Sequence, residues 1–215
     1  AFAMPLPWEK LDVTTYSWQK VLGGEAQHGV IILSPHAYSR LETWEPKWPI
    51  PKIFRMKKNN EPIKGFFDVD TINTPSMLCI EDVLDSLLWA ESIGGTEGLI
   101  RRNRENFSVI EDWVAKTYWV DFLAASPPIR STTSVCLSIV DPWFLSLTSS
   151  EKEKVVSGMC SLLDEERAAF DIKGYRDAPP GIRIWAGSTI EKDNIVALLP
   201  WLEWAFEQSK NIGDQ

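Results

Sequence analysis

Residues 12–35 read DVTTYSWQKVLGGEAQHGVIILSP. Residues 12–17 carry β-favouring side chains in near alternation, and residues 30–33 form a continuous apolar run of the type buried on both faces of a sheet. Lys20 therefore lies between two expected strands, just ahead of the pair Gly23-Gly24. Glycines there let backbone approach a ligand closely. An amine in such a place forms Schiff bases with carbonyl compounds once its surroundings lower its pKa. The plainer reading is a strand-end lysine that reaches solvent, and this stretch alone does not choose between the two.

The rest of the chain narrows the field. With 215 residues, 44% hydrophobic and 24% charged, it has the composition of a compact globular protein of one large or two small domains. Its net charge of −8 carries no dense Lys/Arg run, so an extended phosphate backbone meets repulsion and no nucleic-acid partner is expected. The basic spots at residues 55–58 and 100–104 read as a solvated loop and a solvated helix face. No apolar run approaches the roughly 20 residues that cross a bilayer, and no basic stretch followed by an apolar one opens the chain, so neither a membrane nor the secretory route is expected. Cys79, Cys136 and Cys160 make no close pair such as CxxC, which fits buried thiols in a reducing cytoplasm. Trp44, Trp48, Trp89 and Trp204 read as core or interface anchors.

Pro46, Pro49 and Pro51 break the chain after the second expected strand, and residues 57–65 are polar and turn-rich, so this section is expected to be loop with at most a short strand at 53–55. A helix follows, with Thr74 as its cap, Pro75 at its first position, Gly94-Gly95 at its end and Met77, Ile80, Leu84, Leu87 and Leu88 on its buried side. Residues 96–116 predict a longer helix burying Leu99, Phe107, Ile110, Trp113 and Val114. Strands are expected at 119–123, 133–140 and 182–186. A capping box at Ser150 to Glu153 should open a helix to about residue 168, and another at Ser188 to Glu191 a last helix with Ile195, Leu198, Leu199, Leu202 and Phe206 on one face, kinked or restarted at Pro200. Strands and helices alternate as in an α+β or α/β layer. The domain boundary is expected inside the 96–116 helix, giving units 1–100 and 101–215.

Three further features bear on chemistry. Asn73-Thr74 ahead of a helix offers backbone N–H groups and side-chain donors to a phosphate, or serves as a plain cap. Arg183, on a strand behind a rigid Pro-Pro-Gly turn, suits bidentate capture of a carboxylate, or is a surface strand arginine. His28 and His36 stand eight apart without a carboxylate or cysteine cluster, so no metal site is expected and both read as structural. GxxxxGK[ST], GxGxxG and GxSxG are absent, which removes the motif support for nucleotide loops and serine hydrolases.

Taken together, residues 12–35, TINTPSMLCIEDVLD at 71–85 and YRDAPPGIRIWAG at 175–187 resemble the phosphoserine aminotransferases, and the likeness runs in order through nearly all of the chain. The resemblance implies the α/β pyridoxal-phosphate fold type I of class V aminotransferases, seen in its C-terminal part: the end of the large cofactor domain, then the small domain. It implies that Lys20 holds pyridoxal phosphate as a Schiff base and moves a proton at the substrate Cα, and that Gln19 contacts the cofactor. Asn73 and Thr74 would reach the cofactor phosphate of the adjacent subunit in a homodimer. Arg183 would hold the substrate α-carboxylate, and Arg176 its distal phosphate or carboxylate, although Tyr175 stands where many members have histidine and the spacing is one residue longer. The implied reaction is transamination of phosphoserine with 2-oxoglutarate in serine synthesis. An aspartate facing the pyridine nitrogen is expected upstream, so the chain by itself is expected to be inactive or nearly so. Two alternatives stay open: a non-catalytic remnant serving oligomerisation or binding, and a class V transaminase for another amino acid.

Overall fold

The computed structural model describes residues 2–26, 29–68 and 70–213. Contacts divide the chain into two compact units, Ala3–Ser92 and Ile93–Gln215. No described helix is long and apolar enough to cross a membrane.

In the first unit, β1 (Val13–Ser17) pairs antiparallel with β2 (Gly29–Leu33), Tyr16 opposite Val30. The expected burial of β2 on both faces does not hold: Ile31 is 60% exposed. The reason lies in the sheet, which among the described residues has β1 and β2 alone. Helix α1 (Pro35–Thr43) follows at once, a helix not anticipated from the sequence although its start is well signalled. The Ser34 side chain accepts from the Ala37 N–H, and Pro35 takes the first turn, where its missing N–H costs nothing.

The strand expected at 53–55 is instead a 3-10 turn, Lys52–Phe54, with Arg55 Nε donating to the Ile50 carbonyl at 2.8 Å. Extended structure comes slightly later, as β3 (Lys57–Lys58) and β4 (Glu61–Pro62). Asn59 and Asn60, both at positive φ, make the tight turn that asparagine tolerates best among residues with a side chain. Helix α2 (Met77–Ser92) begins two residues beyond the expected start. Thr74 and Pro75 lie outside it, and Ser76 supplies the first acceptors, its carbonyl taking the Ile80 N–H at 3.1 Å and its hydroxyl the Cys79 N–H at 3.5 Å. Its packed face also differs: Cys79, Val83 and Ala90 are buried, while Met77, Leu84, Leu87 and Leu88 are exposed. A helix apolar on two sides has no single stripe for periodicity to choose.

In the second unit, β5 (Val120–Phe122), β6 (Ser134–Ile139) and β7 (Gly181–Trp185) form an antiparallel sheet in the order β5-β6-β7. Alternation along β6 turns Val135, Leu137 and Ile139 inward. Helices α3 (Gly95–Val114), α4 (Pro142–Ser146), α5 (Ser149–Glu165) and α6 (Lys192–Gly213) complete the unit. The expected buried side of α3 is the observed one. Phe206 of α6 stacks on Trp119, ring centres 4.2 Å apart, at the centre of a core that includes Ile110, Leu163, Leu202 and Ile184.

The box that opens α5 is Thr148 to Glu151, two residues ahead of the one expected, and Glu153 pairs instead with Lys173 at 3.2 Å. The helix ends at Glu165, short of residue 168, because Arg167 takes a left-handed conformation and Ala168 folds its N–H back to the Leu163 carbonyl. Ser188 is buried and Glu191 pairs with Arg102 at 2.6 Å, so α6 begins just after them. It runs unbroken through Pro200. Burial of Ile195, Leu199, Leu202 and Phe206 along one side outweighs the hydrogen bond that proline removes.

Candidate functional site

Lys20 sits in the turn that closes β1. Trp18, Val21 and Leu22 are buried, Gln19 is half-buried, and Lys20 is exposed. The apolar residues thus pin the turn from both sides and leave the amine outside. The backbone is closed by Gly23 N–H to the Lys20 carbonyl and Gly24 N–H to the Trp18 carbonyl, both at 3.1 Å. Gly23 is at φ +75, where a side chain would strain the turn. Asp82 of α2 accepts from the Glu25 N–H and so ties the end of the turn to a helix. Gln19 Oε1 is buried with no hydrogen-bond partner among the described residues. An amide acceptor left bare beside a reachable amine is suited to meet a polar ligand.

Asn73 and Thr74 are both exposed, in the segment ahead of α2. The Thr71 hydroxyl donates to the Asn73 carbonyl at 2.6 Å. Both residues line a cavity of about 500 Å³ with Gly29, Ile31, Met56 and Phe66. Lys20 and Gln19 do not line that cavity.

In the second unit Arg183 lies on β7, next to the β6 strand across from Cys136. Its backbone N–H donates to the Ile172 carbonyl at 2.7 Å. Its Nη2 donates to the Asp171 carboxylate at 3.1 Å and to the Asp171 carbonyl at 3.3 Å, and the Tyr175 ring centre lies 4.7 Å from the guanidinium carbon. Gly181, at the start of the strand, permits the approach of the Leu137 carbonyl, with which any Cβ would collide. Arg176 is exposed in the adjoining turn and lines a cavity of about 290 Å³ with Lys173, Tyr175, Pro179 and Glu153. Arg183 does not line it, but Tyr175 joins the two, touching one arginine and lining the cavity of the other.

No protein-family model matches the chain. Over 209 residues, 97% of its length, it is 50% identical to the phosphoserine aminotransferases of Methanosarcina mazei and Methanosarcina barkeri. The chain is a relative of the phosphoserine aminotransferases. It covers 54% of each of these two proteins, so it spans about half the length of the curated relatives it matches. Among solved structures, the phosphoserine aminotransferase from Bacillus circulans subsp. alkalophilus is similar at TM-score 0.68 and 18% identity, over 96% of this chain and 50% of that one. A pyridoxal-phosphate-bound phosphoserine aminotransferase from Trichomonas vaginalis matches at TM-score 0.70 and 18% identity, over 92% of this chain and 49% of that one. The chain has the fold of about half of each of these aminotransferases, α/β and of pyridoxal-phosphate fold type I.

Beyond the residues that the sequence singles out, the structure shows three arrangements that spacing did not. Asn103 and Asn106 of α3 are fully buried. Asn103 Nδ2 donates to the Thr132 and Ala186 carbonyls at 2.7 and 3.0 Å and its Oδ1 accepts from the Thr132 hydroxyl; Asn106 Nδ2 donates to the Ile190 carbonyl at 2.9 Å. Together they hold the loop that leaves β7. Two asparagines three apart on an otherwise apolar helix face were the available signal. Asp171 pairs with Arg183 from twelve residues away, and nothing local announces it. His36 corrects an expectation: strand pairing brings the Asp12 carboxylate to 3.2 Å from its Nδ1. The Ser34 hydroxyl, then His36, hold the Asp12 carboxyl below its usual range. Ser34 and His36 both bind Asp12 and not each other, which makes a helix-capping cluster and no nucleophile relay. His28 lies outside the described residues. Among the described residues no cluster of three or more His, Cys, Asp and Glu is placed to hold a metal.

Proposed function

We propose that Lys20 holds pyridoxal phosphate as a Schiff base, and that the protein transfers the amino group between phosphoserine and 2-oxoglutarate, giving 3-phosphohydroxypyruvate and glutamate, in cytoplasmic serine synthesis. The observation that carries the reading is the presentation of Lys20: an exposed amine on a turn fixed by three buried apolar residues, within a chain half identical to proteins named for this reaction. The residues present fit the group. Gln19 offers a buried acceptor without a partner, and Gly23 shapes the turn beside the amine. When bound, pyridoxal phosphate supplies an electron-withdrawing ring that stabilises charge left by deprotonation at the substrate Cα.

The other roles belong to this chain's own side chains. The Lys20 amine takes and returns the Cα proton, a general base positioned by its rigid turn. Arg183 binds the α-carboxylate through its fork. Arg176 and Lys173, in their shared polar cavity, attract the distal phosphate. Asn73 and Thr74 donate to the cofactor phosphate of a second copy, a role supported by their exposure in the segment ahead of α2. This makes the protein a homodimer, with residues 1–100 serving the cofactor domain and 101–215 the small domain.

Tyr175 in place of histidine favours a second reading, a class V transaminase for another amino acid. The structure of an alanine–glyoxylate aminotransferase from Nostoc sp. is similar in fold, TM-score 0.65 at 15% identity. One assay separates the two. With the full-length protein and 2-oxoglutarate, phosphoserine should turn over with kcat/KM at least about tenfold above serine or alanine, since each charge-assisted bond to phosphate is worth about 1.5–3 kcal/mol. Equal or greater turnover of serine or alanine would show the phosphate to be unread and replace the first reading by the second.

A further inference from the structure

The fork of Arg183 is half used. Its Nη2 is engaged twice by Asp171, by carboxylate and by carbonyl oxygen. Its Nε, the other prong on the same side of the guanidinium, is buried with no hydrogen-bond partner among the described residues. A carboxylate docking side-on fills both prongs with parallel bonds, which one oxygen of Asp171 does not do. The two partners also differ in setting: the Arg183 side chain is 15% exposed and that of Asp171 91%. An ion pair with one member in open water is weak and readily exchanged. Asp171 stands at φ +52, in the left-handed region, and its carbonyl and its carboxylate both reach the same nitrogen. Tyr175 lies over the guanidinium from its own segment, and Arg183 is anchored through its backbone to Ile172.

We propose that Asp171 is a positioning residue that sets specificity: its carboxylate occupies Nη2 of Arg183 until a ligand carboxylate takes Nε and Nη2 together. This rests on the reading of Arg183 as the substrate-carboxylate site. Ligands able to fill both prongs displace Asp171, whereas a monodentate anion such as chloride gains one bond for the one it breaks and is turned away.

The test uses the full-length holoenzyme carrying Asp171→Asn, because asparagine adopts the left-handed conformation as readily as aspartate and keeps the turn. KM for the amino donor and for the 2-oxo acid should both fall about two- to fivefold, with kcat within about twofold, the scale set by exposed ion pairs. Inhibition by chloride should strengthen over the same range. A brace that merely holds Arg183 in place would move KM the other way. Arg183→Lys, assayed in parallel, separates the two levels of the argument. If it raises KM for both substrates about tenfold or more while Asp171→Asn leaves KM unchanged or higher, Asp171 is only a brace and the inference fails alone. If Arg183→Lys leaves KM unchanged, the carboxylate site is elsewhere and both fall.

Discussion

Asn103 shows how much one buried polar side chain can organise. Its amide group donates to Thr132 and Ala186 and accepts from the Thr132 hydroxyl, so it ties the segment before β6 to the segment after β7 from a helix whose other buried side chains, Asn106 apart, are apolar. Replacing it by alanine strands those partners and opens a small cavity. Asn103→Ala should therefore lower the unfolding free energy by about 2–4 kcal/mol, measured by urea titration. A loss below about 0.5 kcal/mol would show water replacing the side chain without cost. Legibility at this scale follows distance. Lys20, Gln19, Asn73, Thr74, Arg176 and Arg183 stand out through motifs that are local in sequence. Asp171 does not, because its partnership with Arg183 depends on the bridge between Lys173 and Ile182, which the fold makes.

Helix α5 poses a choice between two equivalent signals. Thr148-Ser149-Ser150-Glu151 and Ser150-Glu151-Lys152-Glu153 both read as capping boxes, and the chain uses the first, freeing Glu153 for Lys173. Thr148→Ala should cost about 1 kcal/mol of stability, while Ser150→Ala should stay within about 0.5 kcal/mol, both read from urea unfolding. Equal effects would contradict the assigned frame. The hydrogen bonds from the Thr148 hydroxyl, then from its backbone N–H, hold the Glu151 carboxyl below its ordinary value. A depressed carboxyl contributes stability above its unfolded pKa and loses it as pH falls through the folded one, so the penalty of Thr148→Ala should narrow in acid. Elsewhere, periodicity located α3 and the strands of the second unit because each has one clear apolar side. It misjudged α2 and β2, whose apolar residues outnumber the neighbours that the described residues provide: Leu88 is 66% exposed and Ile31 60%.

At the scale of the molecule the two units differ in how far their sequences explain them. The second, Ile93–Gln215, closes a core of its own around Phe206, Trp119 and the three-stranded sheet. The first, Ala3–Ser92, holds short two-stranded ribbons and leaves large apolar side chains at its surface, while the chain spans about half the length of its Methanosarcina relatives. The proposed chemistry of the protein centres on that first unit, at the Lys20 amine. Full-length protein loaded with pyridoxal phosphate, reduced with borohydride and digested for mass spectrometry should carry the phosphopyridoxyl adduct on Lys20, and Lys20→Ala should lose both the adduct and transamination while keeping its circular dichroism. An adduct on another lysine, or none on a protein with intact fold, would contradict the account.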